Sequence, residues 1–294
     1  MLVLHKLHGL GNDFLVFDAH QESASLFLEH AELWARTACD RHCGIGADGV
    51  IAVTKSDTDD ADYRMTLWNA DGSRAEMSGN GLRCVAAYIR RVMGWEMAAL
   101  RVMTDVGGRL VTFLESSGLE TRCAIRMGAP ALTPEAIPFR AGGKREPPLT
   151  DIALTVGKET VTATILSMGN PHCTVFVEDA RAAPVAELGP QLEHHPAFPN
   201  RTNVEFAAVR DRQNLEVAFW ERGVGQTAAS GTGACAAAVA AMLRGLADRA
   251  VTVHTERGAL NVAWDAATDE VTLAGSACYI ARVEWAGWPD GGSI

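Results

Sequence analysis

One stretch of this chain occurs twice, and the repetition narrows the possible folds more than any other feature. Trp68-Asn-Ala-Asp-Gly-Ser-Arg-Ala-Glu-Met-Ser-Gly-Asn-Gly81 aligns without gaps to Trp220-Glu-Arg-Gly-Val-Gly-Gln-Thr-Ala-Ala-Ser-Gly-Thr-Gly233, at a constant offset (220 − 68 = 152 and 230 − 78 = 152). Both copies read as a strand, a glycine-containing loop, Ser-Gly-x-Gly and then a helix. A looser match pairs Gly11-Asn-Asp-Phe14 with Gly169-Asn-Pro-His172, at 169 − 11 = 158. Each copy occupies about half of the 294 residues, so the chain reads as a duplication. Two similar domains of this kind normally meet face to face about a pseudo-twofold axis. Chance similarity of two glycine-rich turns is the competing explanation, and the gapless match of Trp, Ser, Gly and Gly favours duplication over it.

Strand-like runs dominate the rest: 3–7, 14–18, 50–54, 63–68, 100–104, 109–114, 121–127, 160–166, 174–177, 203–209, 215–220, 251–255, 271–274 and 279–284. In the run 215–220, Leu215, Val217 and Phe219 point one way while Glu216, Ala218 and Trp220 point the other. Helical periodicity is confined to 25–38, 82–93, 234–243 and, more weakly, 185–194, where Gly189-Pro190 interrupts the pattern. The helix after Gly81 sets Leu82, Val85, Ile89 and Val92 on one face and Arg83, Arg90 and Arg91 elsewhere, with Gly94 suited to end it. The helix after Gly233 is apolar nearly all round and is expected to be buried all round. Strands outnumber helices without alternating regularly with them, which predicts an α+β fold rather than a doubly wound sheet. The Gly- and Pro-rich stretch 140–150 reads as a loop or linker.

Composition removes several classes of function. Lys plus Arg number 26 against 36 for Asp plus Glu, a net charge of −10, which argues against nucleic acid as the main partner. No apolar run approaches the ~18 residues of a membrane span, so no membrane partner is expected. The first residues lack the basic and apolar regions of a secretory signal. Seven cysteines, an odd number, do not read as a disulfide framework, and a reducing cytoplasm is the expected location.

The repeated Ser-Gly-x-Gly carries the chemistry. Glycines there allow backbone N–H groups to turn toward one point, and the unpaired N–H groups of the first helical turn bind an anion. Two such termini facing each other hold one carboxylate. Neither copy has the Gly-Lys-Ser/Thr ending of a nucleotide loop. Neither serine sits in Gly-x-Ser-x-Gly, because Glu76 and Ala228 occupy the first positions, so a hydrolase elbow is disfavoured. The side chains just before the helices would flank the anion from opposite sides. Two proton-transfer groups on opposite faces of an α-carbon are what stereoinversion without a cofactor needs, the carbanion's charge spreading into the held carboxylate.

Taken singly, many of these residues have blander roles. Asn12, Asn69 and Asn170 sit in or beside turns, Glu221 and Arg222 would ordinarily end a strand in solvent, and Trp68 and Trp220 suit packing. His5, His8, His194 and His195 read as surface or packing residues, and Cys84, Cys123, Cys173, Cys235 and Cys278 as small core residues. Cys39-Asp-Arg-His-Cys43 looks faintly metal-like, but no second ligand pair stands at zinc-site spacing, so no metal is expected.

Together, seven segments resemble the diaminopimelate epimerase family over nearly the whole chain: His8-Gly-Leu-Gly-Asn-Asp-Phe14, Asp40-Arg-His-Cys-Gly-Ile-Gly-Ala-Asp-Gly49, Trp68-Asn-Ala-Asp-Gly-Ser73, Gly79-Asn-Gly-Leu-Arg83, Gly169-Asn-Pro-His172, Arg201-Thr-Asn203, and Glu221-Arg-Gly223 through Gly231-Thr-Gly-Ala234. The resemblance implies two pseudo-symmetric domains, 1–118 plus 277–294 and 119–276, each a curved, mostly antiparallel sheet around a central helix, with the active site in the cleft between them. It also implies a homodimer, no cofactor, and conversion of LL-diaminopimelate to the meso isomer in the lysine and peptidoglycan precursor route. Carried over by motif, Asn12, Asn69, Asn170, Asn203, Glu221 and Arg222 bind substrate, while Gly79, Asn80, Gly231 and Thr232 supply N–H groups to the reacting carboxylate. Arg222 suits a distal carboxylate and Glu221 a distal ammonium. His172 is placed near the reacting centre without an assigned role.

The resemblance fails at one pair of positions. The family has its two catalytic cysteines where this chain has Ser78 and Ser230. A thiol with a pKa of about 8.5, lowered at a helix N-terminus, gives a thiolate base, whereas a serine hydroxyl is far too weak an acid for the same dipole to ionise. Neither repeat offers an evident general base nearby. Serine at both positions reads as a deliberate, paired Cys-to-Ser replacement that keeps shape and abolishes acid–base chemistry, with a naturally divergent homologue as the alternative. Two other readings stay open: a racemase or epimerase of another amino acid, and a naturally non-catalytic amino-acid-binding homologue. The related phenazine-type isomerases lack the thiols, but they need an acid–base residue that has no evident place here.

Overall fold

The computed structural model describes residues 1–140 and 145–286. The chain folds into two compact units, one of Met1–Ile125 with residues 275–286, the other of Arg126–Ala274.

In the first unit, β1 (Leu2–Gly9) and β2 (Asn12–Asp18) form a hairpin. Helices α1 (Ala24–Glu29) and α2 (Ala31–Cys39) then lead to β3 (Gly49–Lys55), followed by β4 (Tyr63–Asn69) and the short β5 (Arg74–Ala75). The helix α3 (Gly79–Arg91), β6 (Ala99–Thr104), β7 (Gly107–Ser117) and β8 (Glu120–Gly128) follow. The second unit contains β9 (Leu149–Val156), β10 (Glu159–Ser167), β11 (Pro171–Phe176), α4 (Val185–Glu193), β12 (Asn203–Asp211) and β13 (Asn214–Glu221). After these come β14 (Gly225–Thr227), α5 (Gly231–Leu243), β15 (Ala250–Thr255) and β16 (Gly258–Trp264), and β17 (Val271–Trp285) starts in the second unit and continues into the first.

The two units share one wiring diagram. In the first, β1–β2 is antiparallel, β2–β3 parallel, β3–β4 and β4–β5 antiparallel, β4–β6 parallel and β6–β7 antiparallel. In the second, β10–β11, β11–β12, β12–β13, β13–β14, β13–β15 and β15–β16 repeat those senses in that order. In each unit, parallel neighbours need a crossover, and the helices supply it. The repeat is therefore one of topology as well as of sequence. Strand β17 pairs with β8 and with β1, which closes β1-β2-β3-β4-β6-β7-β8-β17 into an eight-stranded barrel. The fold class is α+β, with few helices.

Each unit is built around its long helix. In α5 six of the thirteen residues are alanine, and Ala234–Met242 is buried throughout. The helix ends in a Schellman arrangement: Leu246 N–H donates to Ala241 O (2.9 Å) and Gly245 N–H to Met242 O (3.1 Å), with Gly245 at φ +69°. Helix α3 departs from the amphipathic expectation, being buried on every face from Gly79 to Ile89, Arg83 included. Tertiary enclosure, not its own periodicity, decides its environment.

Other differences are local. The helix expected over 25–38 is two helices, broken at His30, whose φ of −129° and ψ of 35° are not helical. The runs 271–274 and 279–284 belong to one strand, β17. The expected loop 140–150 gives up Leu149 and Thr150 to β9, while 141–144 lie outside the described residues, as do 287–294 of the expected first domain. Cys84, Cys123, Cys173 and Cys235 are buried, but Cys278 is only half-buried.

Candidate active site in two helix starts

Both serines are helix N-caps. Ser78 and Ser230 have extended backbones (φ −135° and −131°), and each Oγ accepts from the N–H three residues on, Gly81 at 3.1 Å and Gly233 at 3.3 Å. This is the usual serine cap of a helix. The N–H groups of Gly79, Asn80, Gly231 and Thr232, in the first turn of each helix, have no intrahelical acceptor and constitute the positive end of each helix.

The glycines serve a purpose other than the expected one. None of the four in the two Ser-Gly-x-Gly segments has a positive φ. Space is the reason at two of them. A Cβ on Gly81 would lie 3.2 Å from Ile51 Cδ1 and from Ser78 Cβ, and one on Gly233 would lie 2.9 Å from Phe219 and 3.0 Å from Glu205 Oε1.

Around Ser78, Asn12 and Asn80 are joined directly, Asn80 Nδ2 donating to Asn12 Oδ1 at 3.2 Å. Asn80 Oδ1 accepts from Arg83 Nη2, and Asn12 Nδ2 donates to Asp48 Oδ2 at 2.7 Å. Asp48 is held by Arg41 Nη2 (2.8 Å), which also reaches Asp13 Oδ1 (2.6 Å), and Lys6 Nζ stands 3.0 Å from Asp13 Oδ2. Burial pushes the Asp13 carboxyl up, but the Arg41 and Lys6 bonds and charges outweigh it and hold it below the usual range. Asn69 is exposed at the end of β4 and donates to Ser73 Oγ (3.0 Å) within its turn, unattached to the Asn12–Asn80 pair. The segment 40–43 is likewise a turn, Asp40 Oδ1 accepting from His42 N (2.7 Å) and Cys43 N (2.6 Å).

Around Ser230 the arrangement differs. Ser230 Oγ donates to Glu221 Oε2 at 3.0 Å, so this repeat does carry a carboxylate beside its serine, contrary to expectation. Burial raises the Glu221 pKa, opposed by the hydrogen bond from Ser230. Asn203 is buried with both ends of its amide engaged: Nδ2 donates to Pro171 O (3.0 Å) and Oδ1 accepts from Arg222 N (3.0 Å). Arg222 Nη1 donates to Asn200 O at 3.0 Å. His172, fully buried, lies between Glu205 Oε1 (2.7 Å from Nδ1) and Asn170 Oδ1 (2.9 Å from Nε2).

The second unit thus ties Ser230 to Glu221, Asn203 to Arg222 and Asn170 to His172, and the first ties Asn12 to Asn80. Three supporting residues escaped the sequence reading: Arg41, Asp48 and Glu205. Arg41 and Asp48 stand in the segment 40–49 that carries part of the family resemblance, which assigns neither of them a role. Glu205 had a usable signal, an acid between Val204 and Phe206 in an apolar strand.

The fold is shared with solved amino-acid isomerases. A probable proline racemase from Agrobacterium radiobacter K84 superposes with a TM-score of 0.69 at 16% identity, covering 99% of this chain and 94% of that one. A hydroxyproline epimerase from Agrobacterium vitis gives 0.68 at 16%, covering 96% and 90%. The chain has the fold of these two proteins. The family model for diaminopimelate epimerase matches residues 4–133 and 164–280. A diaminopimelate epimerase of Moorella thermoacetica is 44% identical over 277 residues (94% of this chain, 96% of the relative). Another, from Pseudomonas syringae pv. tomato, is 40% identical over 280 residues (95% and 97%). The chain belongs to the diaminopimelate epimerase family.

Proposed function

We propose that this chain is a cofactor-independent epimerase scaffold that binds diaminopimelate and, with serine at 78 and 230, turns it over little or not at all. The single observation that carries this reading is the equivalence of Ser78 and Ser230, each capping a helix whose first N–H groups have no intrahelical acceptor. In the reaction proposed for the scaffold, the group at one position removes the α-proton and the group at the other protonates the opposite face. The α-carboxylate takes up the developing charge while held by N–H groups of Gly79, Asn80, Gly231 and Thr232. Arg222 pairs with the distal carboxylate and Glu221 with the distal ammonium.

Glu221 has a second part in this proposal. Its oxygen stands 3.0 Å from Ser230 Oγ, at the place where a proton leaving residue 230 would go. A raised carboxylate pKa narrows the gap to a thiol near 8.5, but the gap to a serine hydroxyl stays too wide for useful ionisation. The same geometry therefore serves cysteine and fails serine.

The test is chemical restoration. The S78C/S230C chain is expected to exchange the α-proton of diaminopimelate with solvent deuterium and to interconvert the LL and meso isomers, while the unaltered chain binds without turnover. Silence of the doubly restored chain would refute the assignment. Calorimetry against diaminopimelate, glutamate, histidine and proline separates this substrate from those of other amino-acid isomerases.

A further inference from the structure

We propose that Glu193 is the positioning residue that holds the Glu221-Arg222-Gly223 turn in the form that meets the far end of the substrate; this deepens the diaminopimelate reading and rests on it. Glu193 closes α4 and is 3% exposed. Burying a carboxylate is unfavourable unless N–H groups converge on it, and three do. Oε1 accepts from Gly223 N (3.0 Å) and Arg201 Nη1 (3.1 Å), and Oε2 accepts from the Trp220 indole Nε1 (2.7 Å). Trp220 and Gly223 bracket Glu221 and Arg222, so one side chain grips the turn on both sides.

The grip is braced from two further directions. Arg201, at φ +59°, leads into Asn203, whose Oδ1 accepts from Arg222 N, and Arg222 itself reaches Asn200 O. Gly189, on the same helix as Glu193, lies so close to Trp220 that a Cβ there would stand 2.6 Å from the indole ring. Gly223 takes φ +77°, and Val224 N–H closes the turn onto Glu221 O at 3.0 Å. Loss of the carboxylate's hold would free the two side chains assigned to the distal ammonium and carboxylate, without removing either.

Glutamine has the same shape and the wrong donor pattern. If its oxygen takes the Gly223 and Arg201 N–H groups, its NH2 faces the Trp220 N–H, a donor against a donor. In the full chain, E193Q is expected to speed exchange of the Gly223 amide about tenfold, leave the amides of α5 unchanged, and weaken diaminopimelate binding about tenfold by calorimetry. Adding W220F removes the opposing donor, though the glutamine NH2 then faces a phenyl ring, so E193Q/W220F is expected to bind more tightly than E193Q without reaching the unaltered chain. A merely structural role predicts faster exchange along α5 as well. The inference is overturned if Gly223 exchange does not move, if E193Q binds as the unaltered chain does, or if W220F fails to rescue. Should E193Q not fold, W220F alone is read: one side of the grip is gone, so faster Gly223 exchange with α5 unchanged and weaker diaminopimelate binding are expected, and unchanged Gly223 exchange overturns the inference. Failure of the unaltered chain to bind diaminopimelate would overturn the substrate reading instead, and the exchange arm would still decide whether Glu193 holds the turn.

Discussion

Replacing Arg83 with methionine tests whether charge orients the amides at the first helix start. The hydrogen bonds run from Arg83 Nη2 to Asn80 Oδ1, from Asn80 Nδ2 to Asn12 Oδ1, and from Asn12 Nδ2 to Asp48 Oδ2, with Arg41 on the other Asp48 oxygen. A guanidinium only donates and a carboxylate only accepts, so each amide between them has one permitted orientation. Arg83 is fully buried, and its Nε also lies 3.4 Å from Ser276 O. Methionine fills similar space and leaves both acceptors without those donors. At about 1–3 kcal/mol for each abandoned acceptor, partly offset because no cation remains to be desolvated, the expected loss is about 2–4 kcal/mol. Amide exchange along α3 measures this for the first unit alone, where the loss corresponds to protection falling about 30- to 700-fold. A double-mutant cycle with N80A should show coupling of about 1 kcal/mol. A loss under about 0.5 kcal/mol, or strict additivity with N80A, would refute the account.

Other perturbations separate the two halves. S78A removes one cap bond and should destabilise α3 by about 1 kcal/mol, whereas S230A also strips Glu221 of its hydroxyl donor and should cost α5 more, both read by amide exchange. G233A forces a methyl against Phe219 and Glu205 and should destabilise the second unit by about 1–3 kcal/mol, seen as an earlier thermal transition. Asp13 is held below its usual pKa, so its stabilising contribution is complete above pH ~4 and disappears as pH falls through the folded value; D13N should flatten acid unfolding of the first unit. Glu221 has the opposite sign. Its stabilising contribution is complete below pH ~4 and is lost as pH rises through its raised folded value, so E221Q should make the second unit more resistant to urea at pH 7 than the unaltered chain.

Much of this could be read from residues alone, and the failures have physical causes. Strand β13 was legible because Leu215, Val217 and Phe219 alternate cleanly, and α5 because an apolar helix has nowhere to go but inside. Arg83 misled the reading of α3, since a cation within a helical pattern signals solvent unless something outside the helix neutralises its donors. Strand β16 escaped notice because Leu260, Val262 and Trp264 alternate with a small Ala263 rather than with charges throughout. Trp220, read as a packing residue, does pack, against Gly189, but its indole N–H also feeds Glu193. The Ser230–Glu221 bond joins residues nine apart across a turn, and spacing alone does not show which way a side chain points.

The barrel of the first unit has a schedule built into it. Its stave β17, Val271–Trp285, is separated from its neighbour β1, Leu2–Gly9, by the entire second unit. During synthesis on a ribosome, domains fold as they emerge, and contacts between distant segments form late. The second half can therefore mature while the first still lacks a wall, and β1 then waits with a bare edge that invites pairing with a neighbouring nascent chain.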